Sequence, residues 1–209
     1  MRINEITAPT EYTITHMLLP RLAVKCSDFI QAAKQSRKLL YRGIANDFLE
    51  PAFTSHSPVN RPPTGQTPTH QKILDNIFRS TGFTALRSNS ICCTPDLALA
   101  NAFSYGDIQY VRSIFPHNGA SYNWSSKIED IGGSTALRNT LKAIDRDYSA
   151  DDIPMDVAID FVQLFDFKQT KLPDALASGN EILVHGTYTS ISRYYTDLVC
   201  KYFGIEEGY

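Results

Sequence analysis

Three places in the chain carry side chains whose types could do chemistry together. The first is Arg42, which closes the apolar run Leu39-Leu40-Tyr41 and is followed by Gly43. A strand-end guanidinium can bury its stem and reach its fork into a cleft, holding a phosphate or carboxylate bidentately. The rival reading is one half of a surface ion pair, the commoner use of such an arginine. Gly43 favours the cleft, since a missing side chain lets a ligand come close to the backbone. The second place is Glu181, set between Ser178-Gly179-Asn180 and the apolar run Ile182-Leu183-Val184. A carboxylate there can hydrogen-bond a ribose hydroxyl and stabilise positive charge growing at an anomeric carbon, or it can simply face water at a strand edge. The third is SNSICCTPDLALANAFSY, Ser88 to Tyr105, which packs a strand, a tight turn and a helix start into eighteen residues. Ser90 to Cys93 forms the strand, Thr94 offers an N-cap hydroxyl, and Pro95 suits the first helical position. Cys92 and Cys93 are small hydrophobes in this pattern, because no histidine or lysine beside them in sequence lowers a thiol pKa.

The elements that must position these groups follow from periodicity. After a polar lead over 1–10, apolar residues from Ile14 to Ile30 recur at helical spacing up to Lys38, with Pro20 dividing two helices. Lys38 to Ile44 is a strand ending at Gly43. The stretch from 46 to 69, with five prolines, is a long loop of the kind that drapes over a site or meets a partner. Thr69 caps a helix to about Ser80, with Gly82 just past its end. Gln109 to Phe115 is a strand stopped by Pro116, and Trp124 is a structural plug with one wet edge. Gly132-Gly133 and Ser134 open a helix to about Tyr148. Met155 to Phe167 is helix then strand, Lys168 to Asn180 a polar loop, Glu181 to His185 a strand, and Thr187 to Tyr195 another. A short helix and a tail end the chain over 196–209.

The totals bound what these groups can serve. At 209 residues, 43% hydrophobic and 20% charged, the chain fits one globular domain, with a helical lobe over 1–37 and a core over 38–195. A formal charge of −2 offers no field for a long polyanion, which argues against extended nucleic-acid binding and leaves room for a local basic pocket. Four cysteines include an adjacent pair that makes two bridges awkward, so a reducing compartment is expected. Neither the cysteines nor the five histidines have zinc-site spacing, and no metal is expected. No apolar leader or membrane-length stretch is present, which predicts a cytoplasmic protein without membrane partners. No Ser, His and Asp arrangement, phosphate-binding P-loop or dinucleotide glycine motif occurs.

Taken in order, the three places resemble the mono-ADP-ribosyltransferase family, in its arginine, Ser-Thr-Ser, glutamate branch. That family ends a strand in Tyr-Arg-Gly, here Tyr41-Arg42-Gly43. Its Ser-Thr-Ser strand end, followed by alanine six residues on and phenylalanine nine on, aligns with Cys92-Cys93-Thr94 through Ala100 and Phe103. Its glutamate opening an apolar strand is matched by Glu181-Ile182-Leu183-Val184. The chain is also similar to the small ADP-ribosyltransferase-like proteins of tailed phages, through Arg87-Ser88 and Trp124-Ser125.

The resemblance implies an α+β fold with a split mixed or antiparallel sheet core and an N-terminal helical lobe. It implies NAD as substrate, with Arg42 on a phosphate, the Gly43 backbone on the nicotinamide amide, and Phe103 or Tyr105 lining the nicotinamide pocket. Cys92 and Thr94 fall on the cofactor-binding triplet, and Glu181 on the ribose. The acceptor it implies is a host protein or RNA, met in the host cytoplasm, with other virion proteins as further partners if the chain is packaged. Two departures stand out. Cys92 replaces the serine that orients the glutamate, and a thiol is a weak donor. Gly179 replaces the second acidic or amide residue two positions before Glu181, which leaves Ser178 and Asn180 to place an acceptor. A non-catalytic virion or interaction protein keeping the scaffold, and a protein that sequesters a nucleotide without turnover, are the alternatives.

Overall fold

The computed structural model describes residues 11–44 and 50–206. The polar lead over 1–10, the first residues of the proline-rich stretch and the last of the tail lie outside them. The fold is α+β, with two four-stranded sheets in which every strand pair is antiparallel.

The first helices run from α1 (Glu11–Thr13) through a π-helical turn at Ile14–Leu18 into α2 (Leu19–Lys25) and α3 (Ser27–Ser36). Pro20 does not divide them. It sits in the first turn of α2, directly after the π-helical turn, and the break falls at Cys26, whose ψ of 26° leaves the helical range. Ile14, Leu19, Leu22, Phe29 and Ala33 pack into the same core as Leu39, Ile114 and Ile191, so the lobe shares the core of the first sheet.

That sheet has the order β1 (Tyr41–Gly43), β4 (Val111–Pro116), β8 (Thr187–Ser192), β2 (Ala52–His56). Strand β2 lies inside the stretch expected to be all loop. It is an edge strand with all five of its residues half-exposed or exposed, so its side chains carry little apolar signal. The second sheet has the order β3 (Ile91–Cys93), β7 (Ile182–His185), β5 (Ser121–Ser125), β6 (Phe167–Lys168). It is buried on both faces. Ile182 and Val184 face the first core, while Leu183 faces a second core built with Ile73, Ile77, Leu141 and Phe161.

The helices of that second core are α4 (Pro68–Ser80), α6 (Thr135–Asp147) and α7 (Met155–Leu164). Thr67, two residues earlier than expected, caps α4 by accepting from His70 N at 3.1 Å, with Pro68 at the first helical position. Ser134 caps α6 as its sequence predicts. Trp124 is buried and donates to Thr170 O at 3.0 Å. Lys168 to Asn180 contains the short helix α8 (Leu172–Ser178), which ends on Gly179 in the left-handed region at φ +80°. The remaining helices are α5 (Leu97–Ala102) and α9 (Thr196–Phe203), and no helix among the described residues is long and apolar enough to cross a membrane.

Candidate functional site

Among the described residues, one isolated backbone bridge joins the two sheets. Tyr41 N donates to Thr94 O at 2.7 Å and Thr94 N donates to Tyr41 O at 2.8 Å. Thr94 is therefore held extended and is not a helix cap. Asp96, two residues later, caps the helix instead, accepting from Leu99 N at 2.9 Å. Next along β3, Cys93 pairs with Ile182 of β7. Arg42 is thus one step from the bridge on one strand, and Glu181 one step before Ile182, two strands over. At about 4.8 Å between strands, that is close to 10 Å of backbone separation.

Between them opens a cavity of about 610 Å³, lined by Arg42, Gly43, Cys92, Thr94 and Glu181 together with Phe103 and Tyr105. Arg42 Nη1 is buried and has no hydrogen-bond partner. Phe103 is half exposed and Tyr105 is 86% exposed with φ +58°, so both rings stand at the rim. The segment after β2 covers one side, where Arg61, Thr64 and Gly65 reach the cavity. It drapes over the site as its length predicts.

Glu181 is 2% exposed and held at both carboxylate oxygens. Its Oε1 accepts from Arg87 Nη1 at 2.8 Å, and its Oε2 from Ile131 N at 2.7 Å. A carboxylate has about four acceptor sites, so one lone pair on each oxygen remains. Arg87 Nη1 also donates to Cys92 Sγ at 2.8 Å, and Arg61 Nη1 donates to the same sulfur. Burial pushes the Cys92 thiol up, against the opposing pull of Arg87, so it stays protonated near neutrality. Burial of Arg87 acts to lower its pKa, but the neighbouring Cys92 and Glu181 carry it above the usual value. With the thiol neutral, the charge that does this is the Glu181 carboxylate.

The remaining charge is lopsided. Arg42, Arg61 and Arg138 line the cavity, and none forms an ion pair with a described residue. Asp130, the other acid in the lining, accepts from Gly132 N and Gly133 N at 2.7 and 2.9 Å. Three guanidiniums without carboxylate partners favour a ligand carrying more than one negative charge.

The structure thus brings Arg42, Gly43, Cys92, Thr94, Phe103, Tyr105 and Glu181 to one cavity, and leaves Ser178, Gly179 and Asn180 outside its lining. Those three have local work. Ser178 Oγ donates to Ala175 O and accepts from Asn180 N, the Gly179 carbonyl accepts from Thr94 Oγ1 at 2.9 Å, and Asn180 Nδ2 donates to Ser125 O. Gly43 has a different reason from the one its sequence context offers. A Cβ there would lie 2.4 Å from Ala100 O, 2.7 Å from Ser104 N and 2.8 Å from Phe103 C, so the missing side chain admits α5. Sequence reasoning missed Arg61 and Arg138, and gave Arg87 no role. Arg87 is 3% exposed, and its one local signal is an arginine directly after the apolar Leu86.

No protein-family model, curated protein or solved structure matches this chain. Among the described residues, no group of three or more His, Cys, Asp and Glu side chains is placed to hold a metal ion.

Proposed function

We propose that the protein is an NAD-dependent mono-ADP-ribosyltransferase built on a split-sheet core of the ADP-ribosyltransferase type. On this reading it is phage-encoded and acts on a host protein or RNA in the host cytoplasm. The observation that carries the reading is Arg42 Nη1, buried and unpartnered on the cavity that Glu181 also lines. A guanidinium in that state is ready for a phosphate oxygen. The cavity's volume falls in the range of small-molecule sites, its cationic lining suits a diphosphate, and the rings of Phe103 and Tyr105 suit a flat heterocycle.

In the reaction, the bond between ribose C1′ and the nicotinamide nitrogen breaks, and nicotinamide leaves with the electron pair. Positive charge develops at C1′ and the adjacent ring oxygen. Glu181, held at both oxygens, presents a fixed negative charge and a free lone pair to the ribose, which lowers the barrier without reorganising. An acceptor nucleophile then bonds to C1′ and gives up its proton to water.

Incubation with NAD labelled in the adenylate half, in host lysate, tests this directly. Label transfer by the wild-type chain, abolished in a folded Glu181→Gln variant, is expected, as is loss of NAD binding in Arg42→Ala by calorimetry. Absence of both binding and transfer in the wild type refutes the proposal. The Arg87–Glu181 ion pair favours a second reading, a non-catalytic protein that keeps the scaffold, because it occupies one side of the carboxylate. Binding of NAD without release of nicotinamide would select it.

A further inference from the structure

We propose that Arg87 is the positioning residue for Glu181, doing through a charged fork what a hydroxyl at position 92 would otherwise do. The inference rests on the ADP-ribosyltransferase reading and deepens it. A carboxylate that must face one ribose has to be stopped from turning about its terminal torsion, and that takes donors on both oxygens. Ile131 N supplies one at Oε2. Cys92 cannot supply an equal one at Oε1, since a thiol is a weak donor. Arg87 Nη1 reaches Oε1 at 2.8 Å, with the strength of a charge-assisted bond.

Arg87 is itself built in place. Asp75, buried on α4, accepts from Arg87 N at 2.7 Å and Ser88 N at 3.2 Å, fixing the backbone from which the side chain starts. Gly132 leaves room for the far end of the fork, since a Cβ there would lie 2.9 Å from Arg87 Nη2. That nitrogen donates to Thr64 O at 3.0 Å. The same segment is tied back by Arg61 N donating to Ser88 O at 2.6 Å and Gln71 Nε2 donating to Arg61 O at 2.9 Å. One guanidinium therefore fixes the carboxylate and the covering segment as a unit. It needs no contact with the reacting atoms to do so.

The test measures nicotinamide release from NAD by the full chain and by Arg87→Ala, Arg87→Lys and the Arg87→Lys/Cys92→Ser pair, each first checked for a cooperative melt. For a misplaced catalytic group, kcat should fall about 100-fold in Arg87→Ala while KM for NAD stays within about threefold. Millimolar guanidinium should restore some of the loss and ammonium should not. Cys92→Ser should raise kcat in the Arg87→Lys background, because the hydroxyl supplies the missing donor. If Arg87→Ala does not fold, Arg87→Lys and its pairing with Cys92→Ser carry the comparison. Wild-type turnover with kcat undiminished in a folded Arg87 variant, or a loss confined to KM, or a loss that neither guanidinium nor Cys92→Ser relieves, overturns the inference alone. No nicotinamide release by the wild type overturns the reading on which it rests and the inference with it.

Discussion

The Arg87–Glu181 pair makes a stability prediction that can be worked through without any substrate. The two groups meet at 2.8 Å with side chains 4% and 3% exposed. Removing one member of such a pair leaves the other charge buried without its partner, which costs about 3–5 kcal/mol, whereas removing both with similar volume is far milder. Glu181→Gln keeps the shape and an acceptor for Ile131 N, but leaves the Arg87 charge facing an amide. Arg87→Met keeps the stem and strands the carboxylate. Both groups line an open cavity, so water reaches the survivor and the lower end, about 3 kcal/mol, is expected for each single change. The double variant loses the bond to Thr64 O, whose residue is exposed and can turn to water. It should therefore cost well under the sum, with a coupling energy of about 1.5–3 kcal/mol. For a chain of this length each single variant should melt roughly 6–12 °C lower, at about 2–4 °C per kcal/mol. Urea titration and calorimetry on the four proteins complete the cycle. Single changes below about 1 kcal/mol that simply add, the behaviour of an exposed ion pair, would refute the argument.

Two further outcomes follow from local geometry. Gly43→Ala should cost about 1–3 kcal/mol, since the new Cβ meets only backbone of α5 and the turn after it, and rigid neighbours cannot step aside; a calorimetric melt unchanged within about 2 °C would show that α5 moves freely. His117 titrates below its ordinary value because it is partly withdrawn from water, with Lys25 and His56 adding to the effect. Its folded pKa thus lies under the unfolded value of about 6.5, so the fold prefers the neutral ring and its contribution to stability is present above about pH 6.5 and lost as pH falls through the folded value. His117→Gln should flatten the loss of melting temperature between about pH 7 and pH 5, and an identical pH slope in both proteins would contradict this.

Much of the scaffold under the site is legible locally. The strand ending in Tyr41-Arg42-Gly43, the strand at Ile91–Cys93, the strand after Glu181 and the opening of α6 after Gly132-Gly133 each sit where an apolar run meets a turn signal. The elements that sequence does not reveal have weak local signals for stated reasons. β2 is an edge strand among prolines, with only two of its five residues apolar, and α8 is seven residues long with a proline in its first turn. Thr94 resembles a cap because the residue type and the following proline fit one. Its backbone is already committed to Tyr41, fifty-three positions away, and no local pattern reports a pairing of that kind.

The same division explains why Glu181 is legible and its partner is not. A glutamate entering a strand that is buried on both faces has to be satisfied, because an unpaired charge there is too costly to keep. That much follows from the residue and the run after it. Which donor satisfies it depends on where β3 and β7 place the segment around Arg87, ninety-four positions back along the chain, and on Asp75 of α4 holding that segment's backbone. Arg42 obeys the converse rule. It lines the same cavity, yet the protein leaves its Nη1 without a partner. Two arginines of one type in one cavity, one spent on a carboxylate and the other left open, differ only in what the fold sets against them. That difference is why Arg87 is assigned to positioning and Arg42 to the ligand.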